Sequence, residues 1–241
     1  MMRLNKFLSE SGYCSRREAD RIMQEGRVSI NGDIPEMGAK VAPGDKIHID
    51  GKLIRVPGKE QQKDFIYMAF NKPVGIVCTT DTEGERNNII DFIGYKKRIF
   101  PIGRLDKPSE GLIFLTNDGD MVNKVLRSKN NHEKEYIVTV SKAITPYFID
   151  KMANGIPMLG TKTKKCKVDA IGKNTFKIVL TEGLNRQIRR MCEYLGYNVT
   201  KLKRVRIMNV KLDVAVGKWR YLTPQEMGAI NSSVSSSSKT K

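Results

Sequence analysis

The chain has 241 residues, 39% of them hydrophobic, with 43 Lys and Arg against 26 Asp and Glu, a formal net charge of +17. This length supports one large domain or two unequal ones, and so positive a balance points to a polyanion, nucleic acid before an anionic membrane. No apolar run approaches a membrane span and Met1-Met2-Arg3-Leu4-Asn5-Lys6 lacks a signal-peptide core, so a soluble, cytoplasmic protein is expected.

In chain order, Leu4, Phe7 and Leu8 give a first short helix its apolar stripe, and Gly12 ends it. Ser15-Arg16-Arg17-Glu18 is a capping box that starts a second helix, with Ala19, Ile22 and Met23 as its buried face and Gly26 as its stop. Val28-Ser29-Ile30-Asn31-Gly32 reads as a strand entering a tight turn, and Ile47 to Ile54 as a hairpin around Asp50-Gly51. Arg3, Lys6, Arg16, Arg17, Arg21 and Arg27 supply the cations of this small module. Its net charge through Pro57 is only +2, so any RNA affinity rests on a basic face rather than bulk charge. Pro57 to Lys63 is polar and aperiodic and reads as a linker.

A second, larger domain opens with the strand Phe65 to Phe70 and the turn Asn71-Lys72-Pro73-Val74-Gly75. Ile89, Ile90, Phe92 and Ile93 suggest a short helix or turn. Two apolar runs, Phe100-Pro101-Ile102 and Ile113-Phe114-Leu115, flank a charged loop containing Gly103, Arg104, Asp106, Lys107, Pro108 and Gly111. Taken alone, Asp106 is a turn or capping aspartate. Met121, Val122, Val125 and Leu126 have helical spacing, and Tyr136 to Val140 is a strand by β-branched content. A helix follows from Pro146, then a strand over Phe176 to Leu180. Asn185 is a candidate N-cap for a helix whose buried stripe is Ile188, Met191, Cys192 and Leu195, ended by Gly196. Arg186, Arg189 and Arg190 cannot all point into that stripe. From Gly183 to Arg220 the net charge is +8, nearly half the total. This favours an RNA groove there over a random basic surface. Residues 231–241 are Ser-rich and read as a disordered tail.

The cysteines, Cys14, Cys78, Cys166 and Cys192, are far apart, and His48 and His132 are the only histidines. They make no zinc pattern, and there is no glycine-rich phosphate loop. Chemistry is therefore expected from carboxylates, hydroxyls, amines or guanidiniums, with no metal and no nucleotide cofactor.

Gly103-Arg104-Leu105-Asp106, followed by Ser-x-Gly-Leu-x-x-Leu-Thr-Asn-Asp-Gly, resembles the signature loop of the RsuA/RluA-type pseudouridine synthases. The resemblance is to the RsuA branch, and its wording is closest to the RluF-type enzymes of 23S rRNA. Lys134-Glu135-Tyr136 and Gly183-x-Asn-Arg-Gln-Ile-Arg-Arg-Met resemble the family's second and third motifs. Arg3-Leu-Asn-Lys-Phe-Leu, Ser15-Arg-Arg-Glu-Ala-Asp and Gly26-Arg-Val-x-Ile-Asn-Gly resemble an S4 RNA-binding domain.

The resemblance implies an α+β protein: an S4 domain over 2–56, a linker over 57–63, and a catalytic domain over 64–230 on a mixed, mostly antiparallel sheet. It implies Asp106 as nucleophile, Tyr136 stacked on a flipped uracil as a candidate for proton transfer, and Arg189 paired with Asp106. It further implies Arg104 entering the space the base leaves, with a simple phosphate clamp as the plainer role. Leu202 or Ile207 would pack against the uracil, and Arg186 and Arg190 would lie along the RNA. Lys72, in the family's Asn-Lys-Pro-x-Gly element, is not made a catalyst. The implied activity is isomerisation of a uridine of 23S rRNA by a monomer without cofactor. Another rRNA site or a tRNA anticodon loop stays open as target, and a non-catalytic S4-type RNA-binding or ribosome-assembly factor stays open as the reading from another class.

Overall fold

The structure is a computed structural model, and it describes residues 1–54, 65–126 and 131–235. The chain divides into two compact units, Met1–Phe65 and Ile66–Lys241. The expected linker, 57–63, lies outside the described residues.

In the first unit, β1 (Met2–Arg3) pairs with β3 (Lys40–Val41), and α1 (Leu4–Glu10) and α2 (Arg16–Gln24) pack together. The capping box forms on its Ser15 side: the Glu18 amide donates to Ser15 Oγ at 3.0 Å. Leu4, Leu8, Ala19, Ile22 and Met23 are buried against β2 (Val28–Ile30) and β4 (Ile47–Ile49). Asp50 and Gly51 both take positive φ, the geometry of a two-residue hairpin, and return the chain into β5 (Lys52–Ile54). Asn31 and Gly32 make a second such turn. After it the chain runs through a loop and β3, so the partner of β2 is β4.

The second unit is built on one nine-stranded sheet. Its elements are β6 (Tyr67–Lys72), α3 (Ile89–Ile93), β7 (Phe100–Ile102), β8 (Glu110–Thr116), α4 (Gly119–Leu126), β9 (Lys134–Val140) and α5 (Pro146–Asn154). A separate hairpin, β10 (Pro157–Met158) and β11 (Thr161–Lys162), follows. Then come β12 (Lys167–Gly172), β13 (Thr175–Leu180), α6 (Gln187–Tyr194), β14 (Val199–Ile207), β15 (Val210–Lys211), β16 (Trp219–Tyr221) and α7 (Pro224–Ser235). The strand order is β12-β13-β9-β14-β8-β6-β16, with β7 on β8 and β15 on β14. Every pairing is antiparallel except β14 with β8, which is parallel and covers only Lys203–Glu110 and Arg204–Gly111. The two faces carry separate apolar clusters. Phe70, Ile113, Leu115, Tyr136, Val138 and Leu202 belong to one, and Ala69, Leu112, Phe114 and Ile207 to the other.

Two expectations are corrected. Gly111, placed in the loop by sequence, is the second residue of β8. The segment expected as a tail begins inside α7, which continues to Ser235 because Ile230 and Val234 form a buried stripe. Residues 236–241 lie outside the described residues.

Candidate active site

The loop between β7 and β8 is fixed at almost every residue. The Leu105 amide donates to Cys78 Sγ at 3.3 Å, and Leu105 itself is buried in the cluster with Tyr136 and Leu202. The Lys107 carbonyl accepts from the Gly75 amide, and the Ser109 amide closes a tight turn onto the Asp106 carbonyl at 3.0 Å. Gly75 belongs to the Asn-Lys-Pro-Val-Gly turn, so that element shapes this loop.

Arg189, on α6, reaches the loop from the far side in sequence. Its Nη2 donates to the Pro108 carbonyl at 3.1 Å and to Ser109 Oγ at 3.0 Å, and its Nη1 to the Val199 carbonyl at 3.3 Å. Its Nε faces Asp106 Oδ2 at 3.7 Å, ion-pair range without a hydrogen bond. The pair is unequal: the Arg189 side chain is 9% exposed and that of Asp106 is 34%. One carboxylate oxygen thus faces a buried cation while the group stays partly exposed. Burial lowers the Arg189 pKa, and the charge on Asp106 opposes that shift.

Lys72, at the end of β6, is fully buried and donates from Nζ to the Pro73 carbonyl at 2.8 Å. Desolvation lowers its pKa, opposed by Cys78 and Asp106. Burial raises the pKa of the Cys78 thiol, which lies in the segment between β6 and α3 and accepts from the loop's Leu105 amide. Tyr136 is buried on β9 directly opposite Arg204 of β14.

The structure therefore gathers Asp106 and Arg189 and places Tyr136 and Leu202 on the face that buries Leu105. Ile207 is not brought to this group: five residues beyond Leu202 on β14, it falls on the other face of the sheet and packs in the opposite cluster. Arg104 and Arg186 are exposed. Asn185 is not the N-cap of α6. That position is Arg186, in a left-handed conformation with φ 51°, and Asn185 instead accepts from Arg190 through both its carbonyls. Sequence reasoning passed over Cys78, Ser109 and Arg204. Only Ser109 carried a signal, lying inside the quoted motif.

In the first unit, Arg21 is bound by Glu18 and Glu25, and Arg27 by Asp50 and Glu25. Lys6 pairs with Glu10, and Arg16 donates to Asn5 Oδ1 at 3.5 Å. Arg3 and Arg17 are exposed with no ion pair among the described residues.

The family of RNA pseudouridylate synthases matches residues 66–194 and the S4 domain matches residues 2–47. The dual-specificity RNA pseudouridine synthase RluF of Salmonella typhi is 58% identical over 226 residues, 93% of this chain and 77% of that protein. Ribosomal large subunit pseudouridine synthase B of Bacillus subtilis is 35% identical, with 94% of each chain covered. A crystal structure of a pseudouridylate synthase matches with a TM-score of 0.69 at 29% identity, over 95% of this chain and 100% of that one.

Proposed function

We infer, from the premise that this chain belongs to the RNA pseudouridylate synthase family and is an isomerase acting on RNA, that Asp106 is its nucleophile and a uridine of 23S rRNA its substrate. The observation that carries the first part is the Asp106 carboxylate, about one-third exposed to solvent and 3.7 Å from the buried Nε of Arg189. A carboxylate presented in this way can form a covalent intermediate, which divides a hard substitution into two easier ones. Whether it adds at C1′, at C6, or acts through a glycal, the N1–C1′ bond breaks, C5 joins C1′, and C5 gives up its hydrogen as a proton.

The uracil must leave its stack, at a cost of a few kcal/mol. Tyr136 and Leu202, on the face with Leu105, give a flat base an aromatic and an aliphatic wall. Arg104, exposed beside Asp106 in sequence, is the side chain to occupy the vacated stack. The ribosomal target is supported by the relative named for the large ribosomal subunit. The dual specificity named for the relative at 58% identity supports a second RNA, for which a tRNA anticodon loop is our choice.

The test is release of tritium from RNA labelled at uracil C5, with unmodified 23S rRNA and tRNA as separate substrates. Wild type should release label and Asp106→Asn should not. Release undiminished in Asp106→Asn would remove the nucleophile assignment, and release from neither RNA by wild type would remove the substrate assignment.

A further inference from the structure

Arg204 is a buried cation without a counter-charge. It is 3% exposed, and among the described residues no carboxylate pairs with it. Its Nε donates to the Leu112 carbonyl at 2.6 Å, while Nη2 is buried with no hydrogen-bond partner. Its charge is felt by the cations Lys72 and Lys134 and by the buried thiol of Cys78. An unpaired buried guanidinium is destabilising in general, so its presence asks for another use.

Three features fix where it acts. Backbone pairing between β14 and β8 ends at Arg204–Gly111, and the Arg204 side chain carries the ladder on by bonding the next β8 carbonyl, that of Leu112. Across β14, Arg204 is the direct antiparallel partner of Tyr136. Its guanidinium carbon lies 6.0 Å from the centre of the Tyr136 ring, the outer reach of a cation–π contact. Arg204 thus ties the strand that follows the Asp106 loop to the ring of Tyr136.

We propose that Arg204 is a positioning residue for Tyr136: anchored on Leu112 of β8, it holds the tyrosine ring in the orientation the isomerisation needs. The proposal rests on the reading of Tyr136 as a wall of the uracil pocket. Held over its ring by a planar cation bonded to the neighbouring strand, the tyrosine keeps one tilt between turnovers. Lysine keeps the charge but has no Nε in a planar fork and would not reproduce both contacts.

The experiment uses the full chain labelled with 3-fluorotyrosine, the Tyr136 resonance being assigned by its loss in Tyr136→Phe. Wild type, Arg204→Lys and Arg204→Met are compared by fluorine NMR and by steady-state tritium release. The expected result is a shifted or broadened Tyr136 resonance in both variants, the others staying in place. With it kcat should fall about 30- to 100-fold in Arg204→Met, as small misplacements in active sites do, while KM changes less than about 3-fold. Arg204→Lys should retain part of the lost rate, and it carries the test if Arg204→Met does not fold. A Tyr136 resonance unmoved in a folded variant, or an unchanged kcat, overturns the proposal. If wild type turns over neither RNA, it is the substrate reading that fails, and the resonance still reports the contact.

Discussion

Gly111→Ala should be among the most damaging single-methyl changes in this protein. Gly111 has φ +109°, a region that L residues rarely adopt, and lies where β8 and β14 come together. A Cβ there would run into the Arg204 carbonyl oxygen and sit 2.7 Å from the Arg204 nitrogen, both backbone atoms of a central strand. The left-handed conformation contributes about 1–3 kcal/mol and the overpacking about 1–3 more. A total near 3–4 kcal/mol lowers the melting temperature of a domain of this size by roughly 6–16 °C. The assay is thermal unfolding followed by fluorescence of Trp219, the single tryptophan, which packs on the core of the second unit and so reports that unit. Gly160→Ala is the control: φ is +73° and nothing lies within 4 Å of the added carbon, so only the conformational cost of about 1 kcal/mol applies. A Gly111→Ala melting point within about 2 °C of that control would refute the strand-junction argument.

Burial, with the charge of Arg204 beside it, pulls the Lys134 pKa down to about 8, so between that pH and its unfolded value near 10.4 the unfolded chain binds more protons and stability should rise with pH. The thiols of Cys78, Cys166 and Cys192, raised by burial, pull the other way above about pH 8.5. The test is therefore the difference between wild type and Lys134→Met in urea midpoint from pH 7 to 10.5. Wild type should gain on the variant as pH rises, and a constant difference would contradict the assignment. Arg17→Ala should weaken RNA binding and reduce the salt slope by about one, whereas Arg21→Ala, whose guanidinium already holds Glu18 and Glu25, should do less. Filter binding at several salt concentrations separates them, and equal slopes for the two variants would count against this division of the basic face. Arg189→Lys should cut tritium release more than 10-fold, because a point charge cannot serve Pro108, Ser109 and Val199 together while facing Asp106. Retention of more than half the rate would show that the fork is dispensable.

What could be read from sequence was mainly local. The Ser15 cap, the Asp50-Gly51 hairpin and the buried stripe of α6 each follow from residues a few positions apart, and each forms. The choice among Arg186, Arg189 and Arg190 was made by family resemblance, yet periodicity held a signal for it. Arg189 lies one position past Ile188 and three before Cys192, on the border of the stripe, while Arg186 and Arg190 fall across the helix. Ile207 could have been set aside from the sequence. It lies five residues from Leu202 along one strand, an odd separation that puts the two on opposite faces, and Ile207 packs in the opposite cluster. Arg204 was hidden in a run of cations, Lys201, Lys203, Arg204 and Arg206, where nothing local tells the buried member from the others. The Cys78 thiol and the Ser109 hydroxyl meet partners 27 and 80 residues away.

The same nonlocality explains why the site forms at all. β8 pairs with β7 along its second half and with β14 only at its first two residues, so the sheet divides at β8. The loop carrying Asp106 is the connection between β7 and β8, and its carboxylate is therefore presented where the sheet divides. β14 enters between β8 and β9 although it is the last of the three in sequence. Its insertion sets Leu202 and Arg204 directly across from Val138 and Tyr136. The helix before it, α6, is then near enough for Arg189 to bond both the loop and Val199, the first residue of β14. A change that moved β14 away from β8 would disturb all of these contacts together. On this reasoning, Gly111→Ala, which strains the β8–β14 junction, should lose tritium release along with melting temperature.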